Sequence, residues 1–163
     1  MFLNLGFDME KPILLISRCL LGKNVRYDGC AKAPPPHLGA LRERYTLIPV
    51  CPEVEFGMPV PRPPMILQAC AEGVRLIRRS DGADLSAAFA HFCRERLRIA
   101  PPAGAVLKSK SPSCGVASTK CYDTAGNLLN ESGTGFFAAA FRERFPNAPI
   151  ANEHNFSDIF LKK

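Results

Sequence analysis

Apolar residues in this chain come in short unbroken runs, separated by stretches in which they recur at helical spacing. Residues 13–16 (ILLI) form an aliphatic run ending at Ser17, the pattern of a strand covered on both faces. Residues 37–45 read as a helix, and 46–50 as a second strand. Five prolines between Pro52 and Pro64 predict a rigid extended loop there, not a helix. Asp84 is placed as the N-cap of a helix reaching Ile99, with Leu85, Phe89, Phe92 and Leu97 on one face. Pro101 and Pro102 stop it, and 105–108 reads as a third strand. A further helix is expected over 135–145 and a short last strand over 149–151, with Phe156, Ile159 and Phe160 docking a final helical turn. Strand and helix in alternation predict an α/β fold: a single three-layer domain over residues 1–163 with a mostly parallel sheet.

Composition narrows the classes. A hydrophobic fraction of 47% and a charged fraction of 22% are ordinary for a soluble domain, and with no heptad repeat they exclude disorder, collagen and coiled coil. The longest apolar runs, 13–16 and 136–141, are too short to span a bilayer, and the N-terminus carries Asp8 and Glu10 where a signal peptide needs an apolar core. A cytoplasmic protein with reduced thiols is expected, without a membrane partner.

A net charge of +6 raises nucleic acid as a partner. Half of that charge sits in three Arg-Glu-Arg repeats, 42–44, 94–96 and 142–144, each near the end of a predicted helix. Cations there complement the helix dipole. Those ends are expected at the edge of the sheet away from the strands' carboxyl ends, so nucleic acid is disfavoured. The oligomeric state is left open.

Seven cysteines cannot all pair internally. Cys19 follows the first predicted strand by two residues, Cys51 follows the second directly, and Cys114 lies in the loop leaving the third. In a parallel sheet all three emerge at the carboxyl edge, where open α/β sheets place their ligands. Cys93 shares its helical stripe with Phe89 and Leu97 and reads as core packing; Cys70 carries no site signal; Cys30 and Cys121 fall in predicted loops. The absence of a C-x-x-C pair and of ligand-like histidine spacing argues against zinc. Three thiols suit an iron–sulfur cluster with one iron left open for substrate, since an electron carrier uses four.

The flanking residues resemble one family. SRCLLG at 17–22 with RYDG at 26–29, PVCPE at 49–53 with Gly57 and PRP at 61–63, and SPSCG at 111–115 are similar to the small bacterial domain of long-unknown function whose characterised members are 2-thiouracil desulfidases. The resemblance covers about 12–153, with 1–11 as an N-terminal extension and 154–163 as a tail. It implies a [4Fe–4S] cluster held by Cys19, Cys51 and Cys114 with one open iron. The implied reaction is non-redox: a thiolated nucleobase such as 2-thiouracil plus water gives the oxo base and hydrosulfide. Cys30 stands where the family commonly has glycine, and 65–68 lack an acidic residue often found there.

Such chemistry needs a proton-handling group. Glu53 is the first candidate, against a plain salt bridge to Arg62 or Lys108. Ser111 and Ser113 are candidates for binding the base or the water, against shaping the turn at Pro112. Glu153 reaches the same edge, and Lys108 is a candidate for neutralising a thiolate. Two alternatives stand beside the desulfidase: a basic RNA- or tRNA-associated module, and a metal-free cysteine persulfide carrier.

Overall fold

The computed structural model describes residues 10–163; most of the expected N-terminal extension, residues 1–9, lies outside them. Four strands form a parallel sheet in the order β2-β1-β5-β8: β1 is Ile13–Ser17, β2 Thr46–Val50, β5 Gly104–Val106 and β8 Ile150–Ala151. These are the four strands read from the sequence. Side chains of β1 alternate between two cores, as a pleated strand requires. Leu14 and Ile16 pack with Leu38 and Leu41 of helix α1 (Leu38–Arg44), with Phe160 of the C-terminal π-helical turn Ser157–Leu161 and with Phe156 just before it. Leu15 faces the larger core built on α3 (Ser86–Arg96) and α4 (Phe136–Arg144), which fully bury Phe89, Cys93, Phe137 and Phe141. Cys93 is therefore core packing, as its stripe predicted.

A second sheet, absent from the sequence reading, has the order β4-β3-β6-β7. It comprises β3 Met65–Cys70, β4 Gly73–Arg78, β6 Thr119–Tyr122 and β7 Leu128–Gly133. Met65, Leu67, Leu76 and Cys121 turn into the same core as α3 and α4. Cys121 is thus a buried strand residue and not a loop residue, and Cys70 ends β3.

Three local differences have simple causes. The proline-rich stretch opens with a helical turn, α2 (Pro52–Phe56), because Pro52 sits at its first position, where no N–H is needed; the other four prolines follow it. Asp84 does not cap α3 directly: its Oδ1 accepts from the N–H of Ser86, and Leu85 holds the cap position. The three Arg-Glu-Arg repeats end α1, α3 and α4 as expected. Arg96 nevertheless reaches Glu55 of α2 at 2.8 Å, next to Cys51, so not all these arginines lie away from the carboxyl edge.

Candidate functional site

The chain leaves β1 and β2 on one side of the sheet's switch point and β5 on the other, which is where open α/β sheets bind ligands. After β1 a single 3₁₀ turn, Arg18–Leu21, carries Cys19 and closes on Gly22 in the left-handed region (φ 78°). Cys51 is the residue between β2 and α2. Cys114 lies beyond β5, on a loop seated against the start of α4. That loop supplies the acceptors that the first turn of α4 lacks: Pro112 O accepts from Phe136 N–H at 3.1 Å, and Ser113 O from Phe137 and Ala138 N–H at 2.9 and 3.2 Å. A side chain at Gly135 would fall 2.4 Å from the Ser113 carbonyl carbon and 2.8 Å from Cys114 N, so only glycine permits this approach.

All three thiols line one cavity of about 300 Å³, together with Glu53, Arg62, Lys108, Ser111 and Ser113. The three loops named from the sequence therefore meet. Cys30 is exposed, accepts no place in this lining, and donates its N–H to Asp28. A neighbouring cavity of about 490 Å³ shares Cys19, Arg26, Lys32 and Lys108 with the first and adds Glu153 and His154.

Each candidate carboxylate has a cation. Arg62 Nε donates to Glu53 Oε2 at 2.7 Å, and both side chains are buried. The second oxygen of Glu53 accepts from Ser113 Oγ at 3.0 Å, and Ser113 Oγ lies 3.0 Å from Ser111 Oγ. Ser111 Oγ also accepts from the N–H groups of Ser113 and Cys114, fixing the turn at Pro112. Lys108 pairs with Glu153, not Glu53. Ser109 adds its N–H and Oγ to the same carboxylate at 2.9 and 2.7 Å. Burial works to raise the Glu153 pKa, but Lys108 and Ser109 outweigh it and hold the carboxyl down at about 2.

Sequence reasoning missed a second layer behind Cys51. Glu55 Oε2 accepts from Cys51 N–H at 2.6 Å while its Oε1 binds Arg96 at 2.8 Å. Ser17 Oγ accepts from Lys108 N–H at 2.9 Å, and Ser113 Oγ lies 3.8 Å from the Cys114 sulfur. The signal was present: two carboxylates, Glu53 and Glu55, closely following Cys51, and then an arginine fixed between Pro61 and Pro63.

Burial, reinforced by the nearby Cys51, pushes Cys19 up to about 11; burial also raises Cys51 and Cys114. Such thiols are poor nucleophiles at neutral pH, which disfavours a metal-free persulfide carrier. Among the described residues no three His, Cys, Asp or Glu side chains converge tightly enough to hold a single metal ion. A cubane offers a separate iron to each thiolate, so its ligands need not converge on a point, and an all-thiol donor set is the soft one it requires. The residues present fit such a cluster.

The fold and the site define a class: an α/β protein with three separated cysteines gathered in a cavity at the switch point of its parallel sheet. The 2-thiouracil desulfurase family model matches residues 14–153, and the chain belongs to that family. Among solved structures it is similar to a [4Fe–4S]-dependent thiouracil desulfidase, TudS, at 31% identity and a TM-score of 0.68, over 93% of this chain and 96% of that one. Curated protein sequences give no match.

Proposed function

We propose that this chain removes sulfur from a thiolated pyrimidine such as 2-thiouracil, with water as co-substrate and hydrosulfide as product, using a [4Fe–4S] cluster held by Cys19, Cys51 and Cys114. The observation that carries this is the meeting of three thiols from three separate loops in one cavity, in a chain whose structural relative is a [4Fe–4S]-dependent thiouracil desulfidase. When bound, the cluster supplies an open, Lewis-acidic iron with affinity for sulfur.

The chain's own residues handle the water and the protons. Glu53, with Oε1 on Ser113, takes a proton from the water that attacks the ring carbon and returns one to the departing sulfur. The step is hydrolytic: the carbon–sulfur bond breaks, a carbon–oxygen bond forms, and no electron is gained or lost. Ser111 and Ser113 continue the hydrogen-bonded wall along which that proton moves. Lys108 and the arginines lining the cavity favour an anionic thiolate and an anionic product. The second cation–carboxylate pair, Lys108 with Glu153, holds the far wall in place.

The test is anaerobic reconstitution followed by addition of 2-thiouracil without reductant. Uracil and hydrosulfide are expected in equal amounts. A protein that carries iron but leaves 2-thiouracil and other thiolated pyrimidines intact contradicts the assignment.

A further inference from the structure

The manner in which Arg62 holds Glu53 sets this pair apart from a simple ion pair. A buried arginine facing a carboxylate commonly grips both oxygens in a two-pronged fork. Here a single nitrogen, Nε, contacts a single oxygen, Glu53 Oε2, at 2.7 Å. The other two nitrogens are spent on backbone carbonyls: Nη2 donates to Val25 O at 2.9 Å and Nη1 to Pro59 O at 3.2 Å. The backbone N–H of Arg62 donates to Tyr27 O at 2.8 Å. Arg62 is therefore locked by three backbone acceptors from two segments, and it leaves Glu53 Oε1 to Ser113. Val25 O, the acceptor for Nη2, also takes the weak S–H bond from Cys51 at 3.8 Å. One guanidinium thus fixes the carboxylate, the 25–27 segment and the surroundings of one thiol.

We infer that Arg62 is a positioning residue for desulfuration: by occupying Oε2 alone it aims Oε1 of Glu53 at Ser113 and into the cavity, and holds residues 25–27 in the lining of that cavity. This rests on the proposed desulfidase reading. Lysine cannot replace it. Its ammonium is a point charge with rotating donors, and cannot hold two carbonyls and one chosen carboxylate oxygen in a fixed plane.

Two measurements test it, and only one depends on the reaction. In the metal-free protein, chemical denaturation of wild type, Arg62→Ala, Glu53→Gln and the double variant forms a cycle. The two residues should couple by about tenfold in the folding equilibrium constant, with Glu53→Gln restoring part of the stability lost in Arg62→Ala. In the reconstituted protein, Arg62→Ala should keep the wild-type iron content and substrate KM while kcat falls about 100-fold, the lower range for misplacing a general base. Added guanidinium should recover part of that loss, and Arg62→Lys should not. Absence of coupling overturns the inference, as do full activity in Arg62→Lys or a loss of iron that matches the loss of activity. If wild type itself releases no hydrosulfide, the desulfidase reading fails, and the cycle still decides whether Arg62 governs Glu53.

Discussion

Glu53, Glu55 and Glu153 at this site are each tied to a cation that decides what they can do. Glu153 is the clearest case, with a carboxyl held at about 2 against an ordinary 4.5. A depressed carboxyl contributes stability that is fully present above pH 4.5 and is lost as pH falls toward 2. Partial exposure of the Lys108 side chain reduces the gain to roughly 1–3 kcal/mol. Glu153→Gln should therefore lower the denaturation midpoint at pH 7 and flatten the loss of stability between pH 4.5 and 2, read from urea titrations across that range. An unchanged acid limb would show that Glu153 is solvated and not tied to Lys108. The thiols divide in the same manner. Cys93 and Cys121 fill core volume, whereas Cys19, Cys51 and Cys114 share a cavity.

At the scale of elements, the site depends on how closely the Cys114 loop lies on α4. Gly135→Ala places a Cβ inside backbone contact distance of Ser113 and Cys114, so it should destabilise the fold by about 2 kcal/mol or more and lower iron uptake. Gly39→Ala is the control. Gly39 sits inside α1 with nothing near its missing Cβ, so alanine should add about 0.5–1 kcal/mol and leave iron uptake unchanged. Thermal melts and iron assays of both variants check this. The elements bearing the cysteines were legible because parallel strands buried on both faces read as unbroken aliphatic runs. The second sheet was not. Met65–Cys70 is only half-buried, Gly73–Arg78 is punctuated by arginines, and Leu128–Gly133 is nearly all exposed, its two leucines included. Such strands are specified by pairing partners that a single segment does not reveal. Helix α2 was hidden by proline count, although only Pro52 lies inside it.

For the whole molecule, nine of the 21 Lys and Arg pair with carboxylates among the described residues. Arg62 and Arg96 brace the two carboxylates of the turn that follows Cys51, while Arg26, Arg75 and Arg78 pair with aspartates. Five of the other cations, Arg42, Arg44, Arg94, Arg142 and Arg144, belong to the helix-end Arg-Glu-Arg repeats of α1, α3 and α4, so no extended phosphate-binding face is expected. RNA binding should be no tighter than the non-specific range of about 10⁻⁶–10⁻⁴ M at physiological salt, and fluorescence anisotropy at two salt concentrations checks it. Among the described residues no helix is long and apolar enough to cross a membrane. The three cysteines were legible as a set because topology alone sends the ends of β1, β2 and β5 to one edge. Their carboxylate partners were not, since whether Glu53 meets Arg62 or Lys108 depends on loop paths that no periodicity encodes.

The central claim is that Cys19, Cys51 and Cys114 together hold one cluster. Iron and acid-labile sulfide should be measured per chain after anaerobic reconstitution, in wild type and in single Cys→Ala variants. About four of each are expected in wild type and in Cys30→Ala, as one cubane demands, and a large loss in each of Cys19→Ala, Cys51→Ala and Cys114→Ala. Wild type that takes up no iron, or full clusters retained when any of the three is replaced, would contradict it.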